Sequence, residues 1–278
     1  MSCIYSTNRN MKVLIPSKGR ATTITTHRIF PDATIVVHTD EELKAYRENK
    51  ELDKMEIIVS HAKEGIPFQR QWILEHLTEK NEWFVFADDN IQYFTAVHEP
   101  QYSQDKCTDR EAFAVKAETD WVWTILRETQ WKAETIGAKF CGFAVVDNYY
   151  FREKKWRTVG HVIQKIAILQ NVGIRYDPNI LSMGDYYYTA ENLLRYGKVL
   201  INNYMFPIAK HYQEGGIGTY AERVPKKIHD CAFLIAQYPD MFRYKRKAGC
   251  HPLAELQVRF TSEKQVQQWR KNMIADRQ

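Results

Sequence analysis

The chain has 278 residues, 44% hydrophobic and 13% aromatic, which is enough apolar material for one large core domain and argues against disorder. Its five cysteines (Cys3, Cys107, Cys141, Cys231 and Cys250) are odd in number and form no C-x-x-C pair, so neither a zinc knuckle nor a disulfide framework is indicated and a reducing cytosol fits. The net charge of +5 is uneven: Arg223 to Gln278 carries 12 Lys/Arg against 5 Asp/Glu, while the remainder is slightly acidic.

That basic C-terminal portion suits an acidic partner such as nucleic acid, or else is a solvated basic surface. No signal-peptide core and no apolar run of membrane-spanning length is present, so a soluble cytoplasmic protein without a membrane partner is expected.

In chain order, Lys12 to Pro16 reads as a first strand, ended by the turn Ser17-Lys18-Gly19-Arg20. The Thr-rich segment Thr22 to Thr26 is a candidate opening of a short helix. Ala33 to His38 and Glu56 to Ser60 read as further strands, with helical composition from Glu41 to Asn49 between them. From Ile66, the spacing of Phe68, Trp72, Ile73, Leu74 and Leu77 predicts an amphipathic helix of about three turns. A continuous apolar strand then runs from Glu82 into Asp88-Asp89-Asn90. Strands alternating with helices imply a mainly parallel α/β sheet flanked by helices.

Beyond Asn90, a polar loop is expected over His98 to Thr108 and one long helix over Asp109 to Ile136. Strands are expected over Lys139 to Val146, Ile163 to Gln170 and Val199 to Asn202. A helix from Gly184 to Tyr196 is closed by Gly197, and an amphipathic helix runs from Ser262 to Ala275. The division expected is a core over residues 1–220 followed by a basic extension over 221–278. Within the core, residues 12–92 and 93–220 form the two expected halves.

Four features can carry chemistry, and each also has a structural explanation. Adjacent carboxylates at Asp88 and Asp89, with the Asn90 amide, stand where a buried strand ends, which is where α/β sheets bind ligands; oxygen-only donors suit Mg²⁺ or Mn²⁺. A turn is the plainer explanation, since Asp and Asn favour turns. Pro16, Ser17, Lys18 and Arg20 form a strand-end turn suited to a phosphate, or an ordinary turn. Arg70 lies in the early turns of a helix, where it can help hold an anion or pair with Glu64 or Glu75. Asp185 at a helix start is by default a cap or a dipole partner, and His211 before the glycine turn Gly215 to Gly218 is more often a structural than a metal-binding histidine.

In this order the features resemble the GT-A type of nucleotide-sugar-dependent glycosyltransferase, over roughly Lys12 to Gly218. The resemblance implies that Pro16 to Arg20 line the nucleotide site, that Asp40 touches the base, and that Gly65 and Arg70 open the helix before the acidic strand, with Gln71 replacing a usual Asn. It implies a metal held by Asp88, Asp89, Asn90 and His211, although the amide replaces the last carboxylate of the usual Asp-x-Asp. It further implies a UDP-sugar donor and Asp185 as the base in an inverting reaction, from a motif that here lacks one of its two acids.

More narrowly, the first strand and loop, the Phe-Ala-Asp-Asp-Asn segment and the basic tail resemble viral glycosyltransferases associated with TET/JBP-type oxygenases. That likeness implies a hydroxymethylated pyrimidine in phage DNA as acceptor, inside an infected bacterial cell. Lys226, Lys227, Lys245, Arg246 and Lys247 would contact phosphates, and Tyr149, Tyr150, Phe151, Trp156 and Tyr186 to Tyr188 would stack on a base or pack in the core. Rival readings are a protein or polysaccharide acceptor, a nucleotidyltransferase, and a non-catalytic nucleic-acid-binding protein.

Overall fold

The computed structural model describes residues 11–97, 114–146, 156–209, 216, 218–246 and 248–275. Strands Lys12–Pro16 (β1), Thr34–Val37 (β2), Glu56–Val59 (β3) and Trp83–Ala87 (β4) arise from the apolar runs, with helices Asp40–Arg47 (α1) and Ile66–His76 (α2) between them. These strands pair in parallel in the order β3-β2-β1-β4. Gly65 opens α2 at φ 126°, a conformation that side chains resist, and Pro67 follows in the first turn where no amide donor is required.

The strand period of two divides the core. Val13, Ile15, Val85 and Ala87 pack into one buried cluster, on the side of helix Thr119–Ile136 (α3). Leu14, Phe84 and Phe86 join the other, with Ile73 and Leu74 of α2 and Leu193 of helix Gly184–Tyr196 (α4). Burial on both faces is what the continuous apolar run in β4 required.

The second half departs more from expectation. Ile91–Val97 (β5) starts directly after the acidic turn, and Ala114–Ala117 (β6) pairs antiparallel with it. The helix expected from Asp109 therefore begins only at Thr119, because Ala114 to Ala117 exchange ladder bonds with β5, a tertiary pairing that overrides local helical preference. After the Thr-rich segment, Thr26–Arg28 forms a single short 3₁₀ turn. Phe140–Phe143 (β7), Trp156–Arg157 (β8), Ile166–Gln170 (β9) and Leu200–Asn202 (β10) extend the main sheet to the order β3-β2-β1-β4-β9-β7-β10-β8. β9 runs antiparallel to both β4 and β7, and β8 antiparallel to β10. Met205–Ala209 (β11) pairs with β5 at the edge of a three-stranded sheet, a position that tolerates Pro207.

Helix Tyr220–Gln237 (α5), the hairpin Phe242–Tyr244 (β12) and Leu256–Val258 (β13), and helix Glu263–Ala275 (α6) follow. Cys231, Leu234, Phe242, Leu256, Val266 and Trp269 share the buried cluster that holds Phe84 and Leu193, so the segment after residue 220 packs on the sheet's own core. No helix among the described residues is long and apolar enough to cross a membrane.

One carboxylate ties this segment to the rest. Asp230 of α5 is fully buried and accepts backbone N–H bonds from Leu181, Ser182 and Met183 at 2.9, 2.7 and 2.8 Å, plus the Ser182 hydroxyl at 2.9 Å. It thereby satisfies three consecutive backbone donors on the approach to α4, the last of them at the N-cap Met183. Asp230→Ala orphans these donors at roughly 1–3 kcal/mol each, so a loss of about 3 kcal/mol or more is expected in urea unfolding. A loss under about 1 kcal/mol would show that water replaces the carboxylate at little cost.

Candidate active site

The carboxyl ends of β1, β2 and β4 open into a cleft of about 650 Å³. Because β9 runs against β4, with Ile166 opposite Ala87, the residues just before β9 arrive at the same end. Gln164 and Lys165 thus line the cleft beside Asp88, whose amide donates to the Lys165 carbonyl at 2.7 Å. Strand direction is absent from the residue pattern, and no sequence signal marks either residue.

The acidic turn is held rigidly from behind. Thr25 and Thr26 amides donate to the Asp89 carbonyl at 2.9 and 3.3 Å. The Thr26 hydroxyl donates to the Asp88 carbonyl at 2.5 Å and accepts from the Ile91 amide at 2.9 Å. Asp89 itself points inward at 3% exposure. One of its oxygens pairs with Arg20, itself only 7% exposed, and the other accepts from Ser17 Oγ at 2.5 Å. Since that Ser17 proton is committed, Tyr46 donates to Ser17 at 2.6 Å, and Tyr46 in turn accepts from the Arg20 amide at 3.1 Å. Arg20, Tyr46, Ser17 and Asp89 form a closed buried network.

Asp88 points the other way and keeps 37% of its side-chain exposure in the recess of the cleft. Burial pushes its carboxyl up to about 6, Asp89 adds to the rise, and Arg70 opposes it. Arg70, 6% exposed, donates to Asp88 Oδ1 at 3.3 Å and to the Gln164 side chain and carbonyl at 2.6 and 3.0 Å. Its guanidinium also lies 5.6 Å from the centre of the Phe86 ring.

Asp185 enters the cleft from the first turn of α4. Gly184 before it packs against Tyr176, where a Cβ would come within 3.1 Å of the ring. Burial alone would raise the Asp185 carboxyl, but His161 Nε2 at 3.1 Å, with Arg70 and the Tyr186 amide, outweighs it and holds the carboxyl below its usual value. The His161 ring stacks on Tyr186 at 3.6 Å between centroids. Tyr188 is buried against Tyr176 and Phe140, and Trp156 meets Tyr204 edge-on, so these aromatics pack within the fold.

The remaining expected residues divide. Pro16, Ser17, Lys18, Arg20, Arg70 and Asn90 all line the cleft, with Lys18 in an exposed ion pair with Glu64. Asp40 does not line it: its side chain is 66% exposed, 3.9 Å from His61. Lys226 lines the cleft, whereas Lys227 is withdrawn into an ion pair with Glu255, and Lys245 and Arg246 are exposed beyond β12. His211, Lys247, Tyr149, Tyr150 and Phe151 lie outside the described residues.

For a divalent cation, Asp88 and Asn90 offer hard oxygen donors, but both Asp89 oxygens are engaged by Arg20 and Ser17. No group of three or more His, Cys, Asp or Glu suited to a metal occurs among the described residues. Two protein oxygens still fit Mg²⁺ or Mn²⁺ in a site completed by phosphate oxygens and water, as Mg²⁺ keeps several waters.

Breaking a buried pair from one side leaves an unpaired charge, so Arg20→Met and Asp89→Leu are each expected to cost about 3–5 kcal/mol in urea unfolding. The double variant should cost much less than their sum. Asp88→Asn should cost far less, because Asp88 is 37% exposed to the cleft and Arg70 keeps its two bonds to Gln164. Additive losses for the first pair, or a large loss at Asp88, would reverse the division of labour between the two aspartates.

No curated protein matches the chain. The model of one family, the TET-Associated Glycosyltransferase family, matches residues 11–192, the stretch that supplies β1 to β4, the acidic turn, the β9 approach and the Asp185 turn of α4. With its GT-A-like sheet and cleft, the chain belongs to the TET-associated glycosyltransferases.

Proposed function

We propose that the protein transfers a sugar from a nucleoside diphosphate, UDP by preference, to the hydroxymethyl group of a modified pyrimidine in phage DNA, with a divalent metal in the cleft. The observation that carries this reading is the convergence on one cleft of Asp88, Asn90, Arg70 and Asp185 from three separate elements. Asp88 and Asn90 would hold Mg²⁺ or Mn²⁺, with His211 as a further candidate outside the described residues. When bound, the metal supplies charge stabilisation for the departing diphosphate.

The chain's own residues account for the rest. The C1–O bond to the diphosphate breaks, a C1–O bond to the acceptor oxygen forms, and Asp185 takes the acceptor's hydroxyl proton. His161 keeps Asp185 ionised and so ready to accept, but the depressed pKa makes it a weak base. Proton transfer must therefore accompany bond making rather than precede it. Arg70 fixes Asp88 and acts electrostatically on Asp185, so it coordinates the two acids. Exposed Lys245 and Arg246, supplied by the basic C-terminal portion, suit the DNA backbone.

The test is an assay of the purified protein with several sugar nucleotides and Mn²⁺ against plain and hydroxymethylpyrimidine DNA, read by mass spectrometry. A hexose gain confined to the hydroxymethylated DNA is expected. Asp88→Ala should abolish it, and Asp185→Asn should lower kcat by about 10²-fold or more. No gain with any donor would sink the DNA acceptor. His161→Phe keeps a ring against Tyr186 but removes the imidazole nitrogen that faces Asp185, so the Asp185 pKa should rise and the acidic limb of the pH–kcat profile should move to higher pH. An unmoved limb would show that Asp185 is not the titrating base.

A further inference from the structure

Arg20 pairs with Asp89, Arg70 with Asp88 and Gln164, and Lys18 with Glu64. The basic turn after β1, which the sequence marks for a phosphate, therefore has its charge balanced within the protein. Lys226 also lines the cleft, is exposed, and makes no hydrogen bond or ion pair with a described residue. Arg223 lines it three residues earlier on the same face of α5.

A strap of contacts draws α5 over the β1 turn. Arg223 Nε donates to the Gly218 carbonyl at 2.7 Å, and the Gly216 amide donates to the Lys18 carbonyl at 2.8 Å. Gly216, at φ 63°, packs so closely on Arg20 that a Cβ there would come within 2.9 Å of its guanidinium. Glu64 feels both lysines: its contact with Lys18, with a smaller pull from Lys226, holds the carboxyl below the usual range. Lys18 and Lys226 thus surround one exposed acid. Exposed ion pairs are weak, so an incoming dianion can displace Glu64 and collect both ammonium groups.

We propose that Lys226, with Arg223 beside it, binds the diphosphate of the sugar nucleotide and not nucleic acid. The inference rests on the donor reading above. It divides the basic C-terminal portion in two: α5 serves the donor, and Lys245 with Arg246 remain on the outer surface. It also makes the donor site depend on residues beyond the 11–192 stretch that the family shares.

Isothermal titration of UDP and of inorganic pyrophosphate, in Mn²⁺, against the full chain tests it, with duplex DNA titrated in parallel. Lys226→Gln should weaken both anions about tenfold, as expected for one charged hydrogen bond, and Lys226→Glu should weaken them further. Lys245→Glu should leave both affinities intact. An exposed position leaves folding untouched, which an unchanged melting temperature verifies. Equal UDP and pyrophosphate binding by wild type and both variants overturns the inference and leaves the donor reading standing. Failure of wild type to bind either anion overturns both. Loss of DNA affinity in Lys226→Glu, with UDP binding retained, returns Lys226 to the nucleic-acid surface and overturns the inference.

Discussion

Arg20 and Asp89 form a buried ion pair, and the orientation of the whole acidic turn follows from it. Taking both charges out of water is costly and is tolerated only where hydrogen bonds complete the set. Ser17 and Tyr46 do this around Asp89 and the Arg20 backbone, while Thr25 and Thr26 hold the turn's own amides and carbonyls. With Asp89 held inward, its neighbour must project outward, and Asp88 enters the cleft. Two adjacent aspartates thus divide into an inward anchor and a carboxylate that faces the cleft.

Two further features build the cleft around that turn. The antiparallel entry of β9 delivers Gln164 and Lys165 to the carboxyl end of β4, and Gln164 holds Arg70 over Asp88. Asp230 then fixes the Leu181 to Met183 approach to α4, which carries Asp185. The anchor comes from α5, the helix whose cleft-facing side carries Arg223 and Lys226. A single helix therefore positions one wall of the cleft and charges it.

The two cleft acids are moved in opposite directions. Burial lifts the Asp88 carboxyl to about 6, while His161 brings Asp185 below its usual value despite burial. Environments that push two carboxyls apart assign them different tasks. Under the proposed reading, one acid would bind a cation and the other would stay ionised toward the acceptor.

The sheet's first half was legible in the residues because its signals are local. Short apolar runs such as Trp83 to Ala87, bounded by turn residues, suit buried strands, and the Gly65 and Gly197 positions mark helix limits through backbone conformations few other residues adopt. Several cleft-lining residues were visible as well, since Ser17, Asp88 and Asp185 stand at element ends and Arg70 in an early turn of α2. The residue pattern could not tell which face of the Asp88–Asp89 turn points inward, that β9 runs backward, that Ala114 to Ala117 leave a helical stretch to pair with β5, or that Lys226 and Lys227 part ways between cleft and Glu255. Each depends on a partner distant in the chain: Arg20 for Asp89, β4 for β9, and Glu255 for Lys227. Residue type and spacing determined which groups were available; tertiary packing, through burial and long-range pairing, decided which charges were neutralised and which were left facing the cleft.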